Sequence, residues 1–249
     1  MKMLRMIQAT TTYSCRRCGS INITRNGTNK CGNAQYHCKD CGAYLVLTPK
    51  SGYSAAQKTQ VLAGYQERMS LRGTQRVFHV WRQTIIRWLM AYVEQLPPLP
   101  DTLIPAQADD VLEFDEAWSF VERRDNQRWL WTVLCRRTRQ IVAFFIGDRS
   151  EASCRQLWQA IPQAYRACRS YSDFWRAYAA VLPAETHHCV GKETGLTAHQ
   201  ERWYCTLRQR LARYVRQTLS FSKKDANHVA VTRWFITEYN LRIRSSLTF

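Results

Sequence analysis

Three acidic side chains stand where a charge is costly to place, at the ends of apolar runs or on a helix. They are Asp115 in V-L-E-F-D, Asp173 in R-S-Y-S-D and Glu201 in H-Q-E-R-W-Y. Desolvating a carboxylate costs several kcal/mol unless another group compensates its charge. In a basic chain the natural compensator is a divalent cation, and two cations about 4 Å apart form the usual machinery for cutting and joining phosphodiesters. The three acids therefore predict a metal-dependent site for DNA strand transfer.

Composition points to a polyanionic partner. The chain has 249 residues and a net charge of +17, while 45% apolar and 12% aromatic residues exclude global disorder. Such a charge favours nucleic acid, because neutralising phosphates releases counterions. No run approaches 18 apolar residues and the start lacks a long apolar segment, so we expect no membrane partner and no signal peptide. We expect a bacterial-type cytoplasmic protein, associated with the nucleoid, whose ten cysteines are reduced or metal-bound.

The cysteine spacing near the start of the chain predicts a zinc ribbon over residues 1–50. Two Cys-x2-Cys pairs separated by 19 residues fall within the range of a four-thiolate zinc site, with one structural zinc held by Cys15, Cys18, Cys38 and Cys41. A disulfide framework or a redox pair is the alternative. Cys31 and His37 are ambiguous extras. The module either contacts DNA or serves as a purely structural clip.

Residues 51–94 predict a helix-turn-helix domain. Ser54 and Ser70 are candidate N-caps of the first two helices, and a break at residues 79–80 precedes the third. The third helix should turn Ile85, Leu89 and Tyr92 inward. Its outward polar residues are the candidate base-reading set, namely Arg82, Gln83 and Arg87. The same periodicity would suit any small helical bundle.

A proline-rich linker and a mixed α/β domain follow. Residues 95–110 hold four of the seven prolines and predict a stiff spacer. Residues 111–249 read as a strand ending at Asp115, an antiparallel hairpin, a helix, a short strand ending at Asp173, a helix, a weak strand and a long helix. That order is typical of the ribonuclease-H-like fold, a mixed sheet flanked by helices. The fold class is therefore α/β, with the catalytic domain preceded by the zinc ribbon and the helix-turn-helix.

The long helix from Thr197 combines an acid with many bases. Tyr204, Leu207, Leu211 and Val215 form one apolar stripe and place Glu201 at its margin. Arg208 lies close to the line of Glu201, and beside a carboxylate cluster such basic residues would hold phosphates rather than form a merely solvated face. Three tryptophans are more often core than base-stacking residues: Trp118, Trp175 and Trp203.

The motifs also resemble a known family. D-E-A-W-S-F-V, Y-S-D-F-W-R-A-Y and the run from Gly191 to Lys223 are similar to the DDE transposases of the insertion sequence one family, over nearly the whole chain. The resemblance implies that the acids at 115, 173 and 201 bind two Mg²⁺ or Mn²⁺ per active site. It implies terminal inverted repeats and target DNA as partners, with a homo-oligomer on DNA, and DNA contacts from Lys192 and Arg202. One position departs: Tyr204 stands where members commonly have Asn.

Two rival functions stay open. A zinc-ribbon and helix-turn-helix regulator would bind DNA without catalysis, and a ribonuclease-H-like nuclease would cut without joining. Glu116 and Asp125 are acids near Asp115 that we expect to be dispensable.

Overall fold

The computed structural model of the chain describes residues 12–30, 32–47, 52–215 and 217–247. They fall into two compact units, residues 1–55 and 56–249. The first unit contains an antiparallel sheet of three strands: β1 (Ile23–Thr28), β2 (Ala34–Cys38) and β3 (Tyr44–Leu45). This short sheet positions the cysteine pairs. Cys31 lies outside the described residues.

The second unit is built on a five-stranded mixed sheet. Its strands are β4 (Val111–Phe120), β5 (Gln127–Cys135), β6 (Ile141–Gly147), β7 (Arg169–Ser172) and β8 (His187–Cys189), in the spatial order β6-β5-β4-β7-β8. The hairpin β5–β6 and the pair β4–β5 are antiparallel, whereas β7 and β8 run parallel to β4. This is the predicted ribonuclease-H-like arrangement, and it confirms the predicted fold class.

Helices cover both faces of the sheet, because the strand residues are apolar on both sides. On one face, α4 (Glu151–Ala160) and α5 (Arg176–Val181) share a core with Phe114, Trp131 and Val133. On the other, α6 (Ala198–Arg210) and α7 (Asp225–Leu247) share a core with Ala117 and Leu130. Ser150 caps α4, and its side chain accepts the Ser153 N–H. The sequence interpretation had not identified α7, whose long, near-continuous burial gives little periodicity to detect.

Three helices precede the sheet: α1 (Ala55–Gln66), α2 (Leu71–Phe78) and α3 (Arg82–Glu94). Ser70 caps α2 by accepting the Gly73 N–H, and His79 takes a left-handed conformation with φ 54° that turns the chain into α3. The buried residues of α3 are Ile85, Leu89 and Val93. Tyr92 does not point fully inward as predicted. It is 37% exposed, and its hydroxyl donates a hydrogen bond to the Glu238 carboxylate of α7 at 2.5 Å.

The segment 95–110 differs from the predicted spacer, since much of it packs against the sheet. Leu99–Thr102 forms a 3-10 helix, Thr102 and Leu103 are buried, and the Gln140 amide donates to the Thr102 carbonyl at 2.9 Å. Residues of α1 and α3 share one hydrophobic cluster with α6 and α7. The helices therefore belong to the same compact unit as the sheet, because the apolar face of α3 is buried against α7 rather than closing a separate domain.

Two predicted element ends also differ. Strand β4 continues five residues beyond Asp115 to Phe120, because β5 pairs with it along that whole length. Helix α6 ends at Arg210, and Leu211 is followed by a separate 3-10 turn, so Val215 is not part of the buried helical stripe. Within the described residues, no helix combines the length and the apolarity needed to cross a bilayer.

Candidate catalytic site

The alternation of side chains along β4 determines which of the two helical layers each of its acids faces. Successive residues of a strand point to opposite faces. Glu113 bonds to backbone groups of α6, whereas Glu116 accepts a hydrogen bond from Tyr178 of α5. Asp115 therefore shares the α6 face with Glu113 and lies in the middle of the strand, opposite Thr132 of β5.

The sheet register brings Asp173 to Asp115. Strand β7 is parallel to β4, with Glu113 opposite Tyr171, and it ends at Ser172, one residue before the predicted end at Asp173. Asp173 follows directly, near enough for its charge to act on Asp115. The Asp173 carboxylate accepts the Trp175 N–H at 3.0 Å, which holds the turn that leads into α5.

Glu113 fixes the start of the helix that carries Glu201. Its fully buried carboxylate accepts the backbone N–H groups of His199 at 3.1 Å and Gln200 at 3.0 Å. An acid at this position satisfies orphan donors of the first helical turn and interacts favourably with the helix dipole. Arg136 neutralises the same carboxylate at 2.9 Å and also donates to the Leu196 carbonyl. Glu201, in that first turn, is thereby held over the β4 face.

Tyr204 adds a second attachment between α6 and β4. Its buried hydroxyl donates to the backbone carbonyl of Asp115 at 2.9 Å and lies 2.7 Å from the Thr132 hydroxyl. Sequence reasoning assigned Tyr204 to an apolar stripe and noted only that it departs from the family. The signal that could have identified its role is the phenol itself, because a buried hydroxyl needs a partner.

Among the three acids, Asp115 has surroundings that disfavour its negative charge. Burial, followed by the charges of Glu116, Asp173 and Glu201, raises the pKa of Asp115 to about 7. Within the described residues no lysine or arginine forms an ion pair with Asp115, and its carboxylate accepts the Glu116 N–H at 2.8 Å. Glu201 is half-exposed, with Lys192 at 4.0 Å. Asp173 and Glu201 are thus near enough for their charges to act on Asp115, which has no cationic partner within the described residues. The three carboxylates do not, however, lie close enough together to share an ion in this structure.

Glu116 is not the dispensable surface acid that its sequence position suggested. It is 9% exposed, and its carboxylate accepts the Tyr178 hydroxyl at 2.6 Å and the Arg149 guanidinium at 2.5 Å. Arg149 lies in turn over the ring of Trp175, at 4.0 Å from its centroid. Glu116 therefore supports the sheet on the α5 face. Asp125, by contrast, is exposed.

Residues 110–241, more than half of the chain, match the family described as IS1 transposase. The chain belongs to that family. It is 33% identical over 129 residues to the insertion element iso-IS1n protein InsB of Shigella dysenteriae, covering 52% of this chain and 95% of that protein. It is 34% identical over 116 residues to the IS1 protein InsB of Shigella flexneri, covering 47% and 86%. The Mos1 strand transfer complex shows a remote structural similarity, with a TM-score of 0.35 and 10% identity over 82% of this chain and 78% of that one.

Three basic residues of this IS1-family chain lie around Glu201. Lys192 and Arg202 are exposed, and Arg208 is seven residues beyond Glu201 on α6, two helical turns along the same face. The three tryptophans separate in the structure. Trp203 is 2% exposed and is core, Trp175 is half-buried, and Trp118 is 36% exposed.

The predicted base-reading residues lie at the start of α3. Gln83 and Arg87 are exposed, and Arg82 is half-exposed with its guanidinium 5.3 Å from the centroid of the Trp81 ring. Trp81 is 56% exposed. These side chains lie in the first turns of a helix that follows a tight turn. Gln83 and Arg87 are on the face opposite the buried residues of α3, whereas Arg82, three residues before Ile85, is on the same side as the buried residues, at the N-terminal end of the helix.

The four cysteines of the first unit form a cluster that can bind zinc. Their sulfur atoms all lie within 4.8 Å of one another, with 3.6 Å for Cys15–Cys41 and for Cys18–Cys38. Tetrahedral coordination at the usual zinc–sulfur distance places thiolates about 3.8 Å apart, so the cluster fits the ion. Gly19 and Gly42 follow the two pairs at φ 77° and 69°, and each N–H donates back to the first cysteine of its pair. Within the described residues, these four cysteines are the one group of three or more histidine, cysteine, aspartate or glutamate side chains whose ligand atoms lie close enough together to share an ion.

Proposed function

We propose that Asp115, Asp173 and Glu201 form the catalytic centre of a transposase that cleaves the ends of its own DNA element and joins the 3′-hydroxyls to target DNA. The observation that carries the proposal is the contrast between three acids of β4. Glu113 is paired with Arg136 and Glu116 with Arg149, whereas Asp115 faces two further acids. A bound divalent cation would supply the positive charge that no side chain of the described residues provides next to Asp115.

The donor set fits Mg²⁺ or Mn²⁺. Carboxylate oxygens are the ligands that hard cations prefer. The charges of Asp173 and Glu201 act on Asp115, although the three side chains would have to move closer together to share an ion. When bound, two cations would activate a water or a 3′-hydroxyl and stabilise the leaving oxygen. The residues of the chain do the rest. Asp115 and Asp173 are fixed by adjacent strands, α6 holds Glu201 over them, and Lys192, Arg202 and Arg208 would hold the phosphates of the reacting strand.

The remaining parts would select the DNA. We propose that residues 51–94 read the terminal inverted repeats through Arg82, Gln83 and Arg87, and that the zinc-bound ribbon of residues 1–50 supports that contact. Residues 111–249 would carry the catalysis. We expect a homo-oligomer on DNA, because two element ends must be joined, and action at the bacterial nucleoid.

Neutralising substitutions test the proposal. Asp115→Asn, Asp173→Asn and Glu201→Gln should each reduce cleavage of labelled element ends by at least about a hundredfold, since a lost ligand removes several kcal/mol of transition-state stabilisation. DNA affinity should hold or rise slightly because a negative charge is removed. The matched control is Asp125→Asn, an exposed acid that should keep near-normal activity. Near-normal cleavage by any of the three variants would contradict the assignment.

Two further arms separate the rivals. A pre-cleaved end with a free 3′-hydroxyl should be joined to target DNA, whereas a nuclease without joining activity would leave it unchanged. Activity should require Mg²⁺ or Mn²⁺ and fail with Ca²⁺, whose longer and looser coordination holds the reacting oxygens poorly. A non-catalytic regulator would retain its full activity in all three variants.

A further inference from the structure

A cleft runs along the open edge of β4, away from the acids. Strand β7 pairs with β4 only from Val111 to Glu113, whereas β5 covers the other edge as far as Phe120. Beyond Glu113 the described residues place no strand on the free edge until Val121 bridges Ser222. Helix α6 and the turn after it follow this edge in the direction of the strand.

The cleft measures about 260 Å³. Glu116 and Ala117, the two residues after Asp115, line its near end. Farther along, the cleft is lined by four aromatic rings and two guanidinium groups: Trp118, Phe120, Trp129, Tyr214, Arg208 and Arg213. A space smaller than the pockets that hold drug-sized ligands suits a single nucleotide rather than a duplex.

Accessibility distinguishes the side chains that can meet a ligand. Phe120 is 7% exposed, and buried Arg213 already donates to Ser222 at 2.5 Å and to the Asn227 carbonyl at 3.1 Å. Trp118 is 36% exposed, although its ring contacts Phe120 at 5.6 Å between centroids. Arg208 is half-exposed and is stacked over Tyr204 at 5.8 Å. Half-buried Trp129 has the Arg149 guanidinium over its ring, 4.5 Å from the centroid, and Tyr214 is buried. The most accessible groups are therefore the indole of Trp118 and the guanidinium of Arg208.

An aromatic face beside a guanidinium is the pairing by which proteins hold unpaired nucleotides, because every base has a face to stack and every nucleotide has a phosphate. The charge of Glu116 does not prevent the binding of a nucleotide phosphate, since Arg149 pairs with the Glu116 carboxylate at 2.5 Å. We propose that the cleft binds one unpaired nucleotide of the reacting strand, next to the scissile phosphate. Its base stacks on Trp118 and its phosphate pairs with Arg208. This inference rests on the function proposed above.

The experiment compares two element-end substrates, one fully paired and one mismatched at the positions flanking the scissile phosphate. Trp118→Leu removes the aromatic face and keeps an apolar side chain, while Trp118→Phe keeps a ring. On the paired substrate Trp118→Leu should cut about tenfold more slowly, as expected for one lost base–aromatic stack. On the mismatched substrate it should recover to within about threefold of the native chain, because the unpairing cost is already met. Trp118→Phe should cut both substrates at near-native rates.

A second readout does not depend on cleavage. With 2-aminopurine at the flanking position and Asp115→Asn as background, binding should quench fluorescence, and adding Trp118→Leu should abolish the quench. An equal defect of Trp118→Leu on both substrates, or no defect, overturns the inference, as does a quench that survives the substitution. If the native chain cuts neither substrate, the proposed function fails, and the fluorescence still decides the nucleotide site by itself.

Discussion

When no divalent cation is bound, the ionised carboxylate of Asp115 should lower the free energy of unfolding near neutral pH. Burial and three neighbouring acids raise the pKa of its carboxyl from 3.8 to about 7. An acid with a raised pKa binds its proton more tightly in the folded state than in the unfolded chain. The free energy of unfolding therefore falls as pH rises from the unfolded value toward the folded one, and it levels off above the folded value.

The magnitude follows from the two pKa values. Each step of one in pKa corresponds to about 1.4 kcal/mol, so ionising Asp115 costs the fold up to about 2 kcal/mol at pH 5 and about 4 kcal/mol at pH 8. Asparagine keeps the oxygen that accepts the Glu116 N–H and carries no charge. Asp115→Asn should therefore raise the free energy of unfolding at pH 8, and its advantage should grow by about 1–2.5 kcal/mol between pH 5 and pH 8.

The assay is urea unfolding of the full chain, with zinc retained and no magnesium or manganese, at several pH values. Asp125→Asn is the control and should leave both the midpoint and its pH dependence near native. Adding Mn²⁺ should stabilise the native chain and have little effect on Asp115→Asn, because a ligand that binds only the folded state stabilises it by mass action. An Asp115→Asn variant that is no more stable at pH 8, or whose advantage does not change with pH, would refute the reasoning.

Three other outcomes are expected. Cys38→Ser should lose zinc and unfold the first unit while Cys205→Ser, at an exposed cysteine of α6, leaves metal content unchanged; metal analysis and circular dichroism measure this. Gln83→Ala should reduce the preference for element ends over random DNA by about 1–3 kcal/mol in competition binding, with non-specific affinity nearly unchanged. Tyr204→Phe should lower the free energy of unfolding by about 1–2 kcal/mol through the loss of its buried hydrogen bonds. The substitution should also slow the cleavage of element ends, since α6 loses its hydrogen bond to the Asp115 carbonyl. An unchanged cleavage rate would show that Tyr204 has only a structural role.

Local signals in the sequence predicted much of the second unit. The hairpin β5–β6 and the end of β7 just before Asp173 follow from alternation and turn chemistry within a few residues. The order of the five strands and of the helices α4 to α6 then required no long-range information.

The errors arose where a distant partner decides the outcome. Strand β4 continues past Asp115 because β5 pairs with it, and nothing within V-L-E-F-D shows that pairing. Glu116 looked dispensable because Arg149, which neutralises it, is distant in the sequence. The proline-rich segment looked like a spacer because the apolar surface that covers Leu103 comes from other elements.

The same long-range pairings explain why the site can be located by charge. Strand β4 carries three acids within four residues, and buried acids normally require a compensating partner. Glu113 uses its partners to hold the start of α6, and Glu116 uses its partners to hold α5 against the sheet. Both flanking helices are thus fixed by acids whose charge is neutralised within the chain. Burial raises the pKa of all three carboxyls, but the acid between them has no cationic partner within the described residues and is influenced by two more carboxylates. Such a position is costly for folding alone, and it is accounted for if the missing charge arrives with a bound cation at the moment the site acts on DNA.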